Sequence, residues 1–378
     1  MALTRTELAR YSRHLSLAEV GAAGQEKLKA ARVVVIGAGG LGSPAALYLA
    51  ASGIGTLGIV DCDRVEVSNL QRQVLFESAT IGELKAEGAR DRLRALNPEI
   101  QVMAHAVELR AANVREVLRD YDVVLDGTDR LATRYLVNDA CVLLGKSLVS
   151  AAIHRFEGQA MTYVPGRGPC YRCLFPHVAE GLVPNCAEAG VLGVLPGVLG
   201  TIQATEAIKL IVGAGEPLIG RLLVYDALDM RFNEFPFERR TDCAVCGEHP
   251  TITELRDPPE LCSAAALATV RRFSPQELRA LLNRNDQKLL LVDVREPREF
   301  ATAHLEGATN IPVSDVSRRL AEIPAGVTPV FLCRSGARSL TACGTALGAG
   351  RSAPAHLEGG LLAWAAEVDP AFTVATAG

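Results

Sequence analysis

The chain has 378 residues, of which 49% are hydrophobic and 22% charged, and a formal net charge of -4. That length suits two domains or three, and the composition is that of a globular protein. With no long run of Lys or Arg there is no nucleic-acid footprint, and a weakly acidic chain draws an acidic partner only through a local patch.

The N-terminal segment MALTRTELARYSRHLSL mixes charged and apolar residues at helical spacing, which predicts an amphipathic helix over roughly 4–15 and argues against a signal peptide. RVVVIGAGGLGSPAALYLAASG (32–53) reads as a buried strand, a glycine turn and a helix. TLGIVD (56–61), YDVVLDGTD (121–129) and SLVSAAI (147–153) read as further strands. This alternation predicts an α/β fold, a Rossmann-like domain with a mainly parallel sheet. Beyond it come a long apolar helix near 197–213 and a strand at RLLVYDA (221–227). A linker is expected over 251–269, between a first domain of residues 1–250 and a smaller α/β domain of residues 270–378. The second domain has strands at LLLVDVRE (289–296) and TPVFLC (328–333). No stretch approaches the roughly 20 apolar residues that span a bilayer. Ten cysteines without a secretion signal read as ligands, nucleophiles or small core residues in a reducing compartment, so the expectation is a cytoplasmic protein with no membrane partner.

GAGGLG (37–42) opens a helix directly after a buried strand. Gly37 permits the tight turn, and Gly39, Gly40 and Gly42 let backbone amides approach a phosphate. Asp61, after the second strand, suits a ribose hydroxyl. These features alone fit NAD, FAD or ATP. Asn69 and Arg72 in SNLQRQ, with Lys85 further on, favour ATP, because a triphosphate carries more charge to neutralise. Asp129, past the strand of YDVVLDGTD, can hold Mg²⁺. Each of these side chains taken singly could also be a surface ion-pair member.

CYRC (170–173) and CAVC (243–246) can supply four thiolates to one tetrahedral ion at about 2.3 Å. Redox pairs are the other reading. Cys186, in PNCAEAGVLG, can be an exposed nucleophile, or can be a loop cysteine with no required role. Cys62, Cys141, Cys262 and Cys343 sit in apolar or linker settings and are read as packing residues.

The series RYSRH, GAGGLG, DCD, SNLQRQ, LKAE and GTD resembles the MoeB/ThiF branch of the ubiquitin-activating enzyme superfamily over roughly residues 1–248. The resemblance implies a homodimer that adenylates the C-terminal Gly-Gly tail of a ubiquitin-like sulfur-carrier protein. It implies ATP contacts at Gly39, Gly42, Asp61, Asn69, Arg72 and Lys85, a Mg²⁺-linked acid at Asp129, and an arginine acting across the dimer at Arg13. It also implies structural Zn²⁺ on Cys170, Cys173, Cys243 and Cys246, and a conjugating or relay cysteine at Cys186. Arg130 departs from the family, whose members often carry Asn there.

VDVREPREFATAHLEGATNIP (292–312), CRSGARS (333–339), HLEGG (356–360) and Trp364 resemble a rhodanese domain over roughly 270–370. That resemblance implies a persulfide on Cys333, fed by a donor such as a cysteine desulfurase. Backbone amides of its loop, with Arg334 and Arg338, are expected to lower the thiol pKa. Cysteine phosphatases place their phosphate-binding arginine one residue beyond Arg338, where this chain has Ser339. Asp293 and Arg298 are expected to be structural ion-pair residues, and His304 a core or surface histidine. The combined expectation is ATP-dependent adenylation of a carrier followed by sulfur transfer from Cys333 to make a thiocarboxylate. The alternatives are an NAD-dependent oxidoreductase fused to a sulfurtransferase and a non-catalytic carrier-docking scaffold. The carrier's pathway stays open among molybdenum cofactor, thiamine, cysteine and tRNA thiolation.

Overall fold

A computed structural model describes residues 2–176, 190–257, 270–284, 289–324, 326–351 and 353–374. They fall into two compact units, one formed by the chain up to residue 257 and one by the chain from residue 270.

In the first unit β1 (Arg32–Ile36), β2 (Thr56–Val60), β3 (Gln101–His105), β4 (Val123–Asp126) and β5 (Ser147–His154) are parallel, in the order β3-β2-β1-β4-β5. β1, β2 and β4 are nearly unbroken apolar runs because helices cover both faces of the sheet. The order reverses between β1 and β4, which opens a crevice at their carboxyl ends. β6 (Glu157–Tyr163), β7 (Arg221–Asp226) and β8 (Arg231–Pro236) continue the sheet antiparallel. β8 is exposed at every position, so no apolar alternation marks it in the sequence.

The helix Leu195–Val212 packs on the helix Gly42–Ser52 and on β5 and β6. Among the described residues it is long and apolar enough to cross a membrane, which the sequence reading did not anticipate, yet half of it is buried within this unit. Its polar side chains are used internally. The Gln203 amide donates to the Asp126 and Val149 carbonyls at 2.7 and 3.1 Å, and the Glu206 carboxylate accepts from Thr162 and the Leu218 amide at 2.9 and 2.6 Å.

The N-terminal segment forms two short helices, Arg5–Arg10 and Ser12–Leu15, not one. The break at Tyr11 turns its ring into the core beside Gly53, where a Cβ would overlap it, and its hydroxyl accepts from Asn97 at 2.9 Å. Residues 251–257, assigned to a linker from sequence, bond to the first unit. The Thr251 and Ile252 amides reach the Ala244 carbonyl, and the Asp257 carboxylate accepts from the Ala111 amide at 2.6 Å.

The second unit is a parallel sheet of β9 (Arg271–Phe273), β10 (Leu289–Asp293), β11 (Thr309–Asn310), β12 (Thr328–Leu332) and β13 (Ala355–Leu357), ordered β11-β10-β12-β13-β9. Alternate residues feed two cores, as period-2 geometry requires. Leu291, Val330, Leu332 and Leu357 meet Phe273 and Trp364 on one face, while Val292 and Phe331 meet Ala342 and Ala346 on the other.

Candidate functional site

The glycine turn joins β1 to the helix Gly42–Ser52 at the crevice. Gly37 has φ +87°, open to glycine at little cost, and its amide donates to the Val60 carbonyl. A Cβ on Gly42 would collide with the Gly37 carbonyl oxygen, so this glycine lets helix and strand pack closely. Gly39 faces the Gln73 amide and Gly40 lies against Pro196 and the Arg72 stem.

The Asp61 carboxylate accepts from the Ala38 and Asp63 amides, both at 2.8 Å. It therefore braces the turn while each oxygen keeps a lone pair for a ribose hydroxyl. Burial pushes its pKa up, and the nearby Lys85 charge only partly opposes that. Lys85 is buried and its Nζ is 3.2 Å from the exposed Asp63 carboxylate. Arg72 donates to the Ser68 carbonyl at 3.1 Å. Asn69 is buried and caps its own turn, accepting from Glu66 at 3.2 Å and donating to Ser68 at 3.4 Å.

At the end of β4 two aspartates part company. Asp126 is fully buried, accepting from Arg134 Nε at 3.0 Å, Ser150 Oγ at 2.8 Å and Thr128 Oγ1 at 2.8 Å. Arg134 also donates to the Thr128 and Ala151 carbonyls, at 2.7 and 3.1 Å. Asp129 is exposed on the loop this network holds, and carries no ion pair among the described residues. Arg130 turns to Glu108 at 3.3 Å. Sequence reasoning missed Asp126, Arg134, Ser150 and Gln203, which come from separate segments. It also missed Gln73, whose buried Oε1, beside the glycine turn, has no partner among the described residues.

Arg13 is exposed and lies away from this crevice within one chain. Tyr11, two residues before it, packs at Gly53, the far end of the helix that starts at the glycine turn. Eleven residues at 1.5 Å each put that end about 16 Å from the turn. Cys186 lies outside the described residues, as does Cys262. Cys141 and Cys343 are core residues, but Cys62 is exposed, with its thiol pushed up by partial burial and by Asp63 and Asp61.

The four cysteines of the two CxxC pairs converge, their sulfurs all within 4.8 Å of one another. The Cys170–Cys173, Cys170–Cys243 and Cys173–Cys246 separations are 4.0, 3.7 and 3.4 Å. A tetrahedral zinc with bonds of about 2.3 Å needs sulfurs about 3.8 Å apart, so the set fits that ion and leaves no open position. Asn138 adds an amide contact to Cys170 at 3.9 Å and accepts from the Tyr171 amide at 2.8 Å.

In the second unit Cys333 leaves β12 into a short loop that enters the helix Ala337–Gly348. Its sulfur is buried, 3.1 Å from the Gly336 amide and 3.5 Å from Ser339 Oγ. Arg338, expected from sequence to help lower the thiol pKa, is paired with Glu299 through bonds of 2.6 and 2.8 Å. The Cys333 carbonyl accepts from the Leu361 amide at 2.8 Å, where the HLEGG turn meets the loop. Asp293 pairs with Arg295 at 2.7 Å, both fully buried, whereas Arg298 is exposed. The expected Arg298 role passes to Arg295, whose backbone amide and guanidinium both donate to the Asp293 carboxylate. His304 is exposed and stacks on Phe300, with ring centroids 3.9 Å apart.

Together these features define a glycine-turn nucleotide unit with a four-cysteine clasp, followed by a unit that holds a cysteine at the end of a central strand. The ThiF family model matches residues 11–245, and the rhodanese-like domain model matches residues 274–367. The chain is 48% identical to the probable adenylyltransferase/sulfurtransferase MoeZ of Mycobacterium tuberculosis, over 98% of its own length and 95% of the relative's. It is 42% identical to the adenylyltransferase and sulfurtransferase MOCS3 of Sus scrofa, over 98% and 88%. Against the sulfur carrier protein adenylyltransferase of Thermus thermophilus it is 53% identical, over 69% of this chain and 99% of that one. The crystal structure of E. coli MccB with ATP superposes with a TM-score of 0.56 at 27% identity, covering 63% of this chain and 74% of that one. The chain belongs to the ThiF family and carries a C-terminal rhodanese-like domain. It is an adenylyltransferase and sulfurtransferase, and these relatives support that reading over the oxidoreductase and the scaffold.

Proposed function

We propose that this enzyme adenylates the terminal glycine of a ubiquitin-like sulfur-carrier protein ending in Gly-Gly and then replaces the adenylate with sulfur carried on Cys333. The observation that carries the first half is the gathering of the glycine turn, Asp61, Lys85 and Arg72 around one crevice. The carrier carboxylate attacks the α-phosphorus of ATP and pyrophosphate leaves. Amides at Gly39, Gly40 and Gly42 approach the phosphates, Asp61 takes the ribose, and Asn69 shapes the Arg72 turn. Arg72 and Lys85 oppose the charge that develops on the leaving pyrophosphate. Asp129 would hold Mg²⁺, which supplies further neutralisation of phosphate charge. Its exposure beside a fully committed Asp126 fits that task. In a homodimer Arg13 of the partner subunit completes the cationic set, a role its distance from the turn of its own chain supports.

A groove of about 370 Å³ lined by Pro44, Arg72, Val74, Leu192 and Val194 gives the extended carrier tail a route to the α-phosphate. Zn²⁺ on the four cysteines clasps distant segments and takes no part in chemistry.

The terminal sulfur of the Cys333 persulfide attacks the acyl-adenylate carbon, forming a C–S bond as AMP leaves. A second thiol then attacks the carrier-side sulfur of the resulting acyl disulfide, expelling the Cys333 thiolate, and cellular thiols reduce the new carrier disulfide to release the thiocarboxylate. Cys186 is our assignment for that thiol, a cysteine desulfurase for the persulfide donor, and the reducing cytoplasm for the setting.

The test is ATP–pyrophosphate exchange with a Gly-Gly carrier and with the same carrier lacking its last glycine. Exchange is expected only with the intact tail, and exchange indifferent to the tail contradicts the reading.

A further inference from the structure

Behind the Cys333 loop lies a buried polar chain that the function above does not use. Ser339 Oγ sits 3.5 Å from Cys333 Sγ and 3.3 Å from His356 Nδ1, and 2.9 Å from the Gly336 carbonyl. All three side chains are at most 4% exposed. His356 stands on β13, in register with Phe331 of β12 and Arg272 of β9, and its Nε2 has no partner among the described residues.

A serine hydroxyl has one proton and two lone pairs. With a thiol at Cys333, the hydroxyl is free to donate to Gly336 and accept from the S–H. With a thiolate it must turn and donate to sulfur. Its lone pair then needs a donor, and the Nδ1–H tautomer of His356 is placed to supply one. Resting on the reading of Cys333 as sulfur carrier, we propose that His356 is a positioning residue which turns the Ser339 hydroxyl onto the anionic sulfur of Cys333 when it is the attacking thiolate.

The imidazole's surroundings agree. Burial and Arg272 push its pKa down, with Glu358 opposing, so it stays neutral and keeps one N–H. The charged groups near it are thus Arg272 from β9 and Glu358 beyond β13, while Arg338 on the helix side is tied to Glu299. The step it serves is balanced. The thiolate attacks the outer sulfur of a donor such as thiosulfate, an S–S bond forms to Cys333, the donor's S–S bond breaks, and sulfite leaves with the electron pair.

The experiment uses the full chain and two readouts. One is the pH profile of Cys333 alkylation by iodoacetamide, read by mass spectrometry of the Cys333 peptide. The other is sulfur loading from thiosulfate. His356→Leu is expected to move the alkylation profile up by about one pH unit and to slow loading roughly tenfold at neutral pH. His356→Asn, whose amide nitrogen can stand where Nδ1 stands, should restore both, and Ser339→Ala should reproduce the Leu defect without rescue by Asn. An unchanged alkylation profile in His356→Leu overturns the proposal. Should that variant not fold, a Ser339→Ala profile identical to wild type overturns it equally. If wild-type protein takes up no sulfur, the carrier role of Cys333 fails, while the alkylation profile still decides the role of His356.

Discussion

Arg134 and Asp126 form a buried ion pair, 3.0 Å from Nε to Oδ2, on which the Asp129 loop is hung. Arg134 Nη2 also donates to the Thr128 and Ala151 carbonyls. Removing one partner leaves the other charge buried and unpaired. Arg134→Leu should therefore cost about 3–5 kcal/mol of stability, measurable by denaturant unfolding of the full chain. The double change Arg134→Leu with Asp126→Asn should cost less than the single one. Equal or greater loss in the double variant would mean the pair is not the source.

Arg72→Ala should depress carrier-dependent pyrophosphate exchange, because the phosphates lose a charge partner near Gly40. Arg13→Ala should do the same through the other subunit. Mixing and reassembling the two inactive variants should recover about a quarter of wild-type exchange, since half the dimers regain one of two sites. No recovery would place Arg13 in the site of its own chain or outside any site.

Purified protein should carry about one zinc per chain, and Cys173→Ala with Cys243→Ala should lose it together with thermal stability. The sulfurs are already at the spacing such an ion requires. Full zinc content in the double variant would contradict the assignment.

Glu299 is held below its ordinary value of 4.5, chiefly by its bond to Arg338. A depressed folded-state pKa gives stability that is present above the unfolded value and is lost as pH falls through the folded one. Glu299→Gln should thus flatten the fall in Tm between about pH 6 and pH 3. A curve parallel to wild type would show that the pair adds nothing, as exposed pairs often do.

The parts legible in the sequence were those with a local pattern. Continuous apolar runs announced β1, β2 and β4, the glycine turn announced the nucleotide crevice, and two CxxC pairs announced the four-cysteine clasp. What stayed hidden depended on partners distant in the chain. YDVVLDGTD shows three aspartates, and only packing tells that Asp126 meets Arg134, Ser150 and the Gln203 amide while Asp129 meets solvent. His356 reads only as the first residue of HLEGG until β13 brings it beside Ser339. The ion-pair partner of Asp293 was misjudged because Arg295 reaches back over two residues into the core, a geometry no periodicity reveals. β8 escaped notice because an edge strand with every residue exposed has no face to advertise.

The most direct test of coupled adenylation and sulfur transfer is the intact mass of a Gly-Gly carrier after incubation with the enzyme, Mg-ATP and a persulfide source. A gain of about 16 Da, oxygen replaced by sulfur, is predicted with wild-type enzyme and not with Cys333→Ala, which should still release pyrophosphate. The same gain with Cys333→Ala would contradict the account.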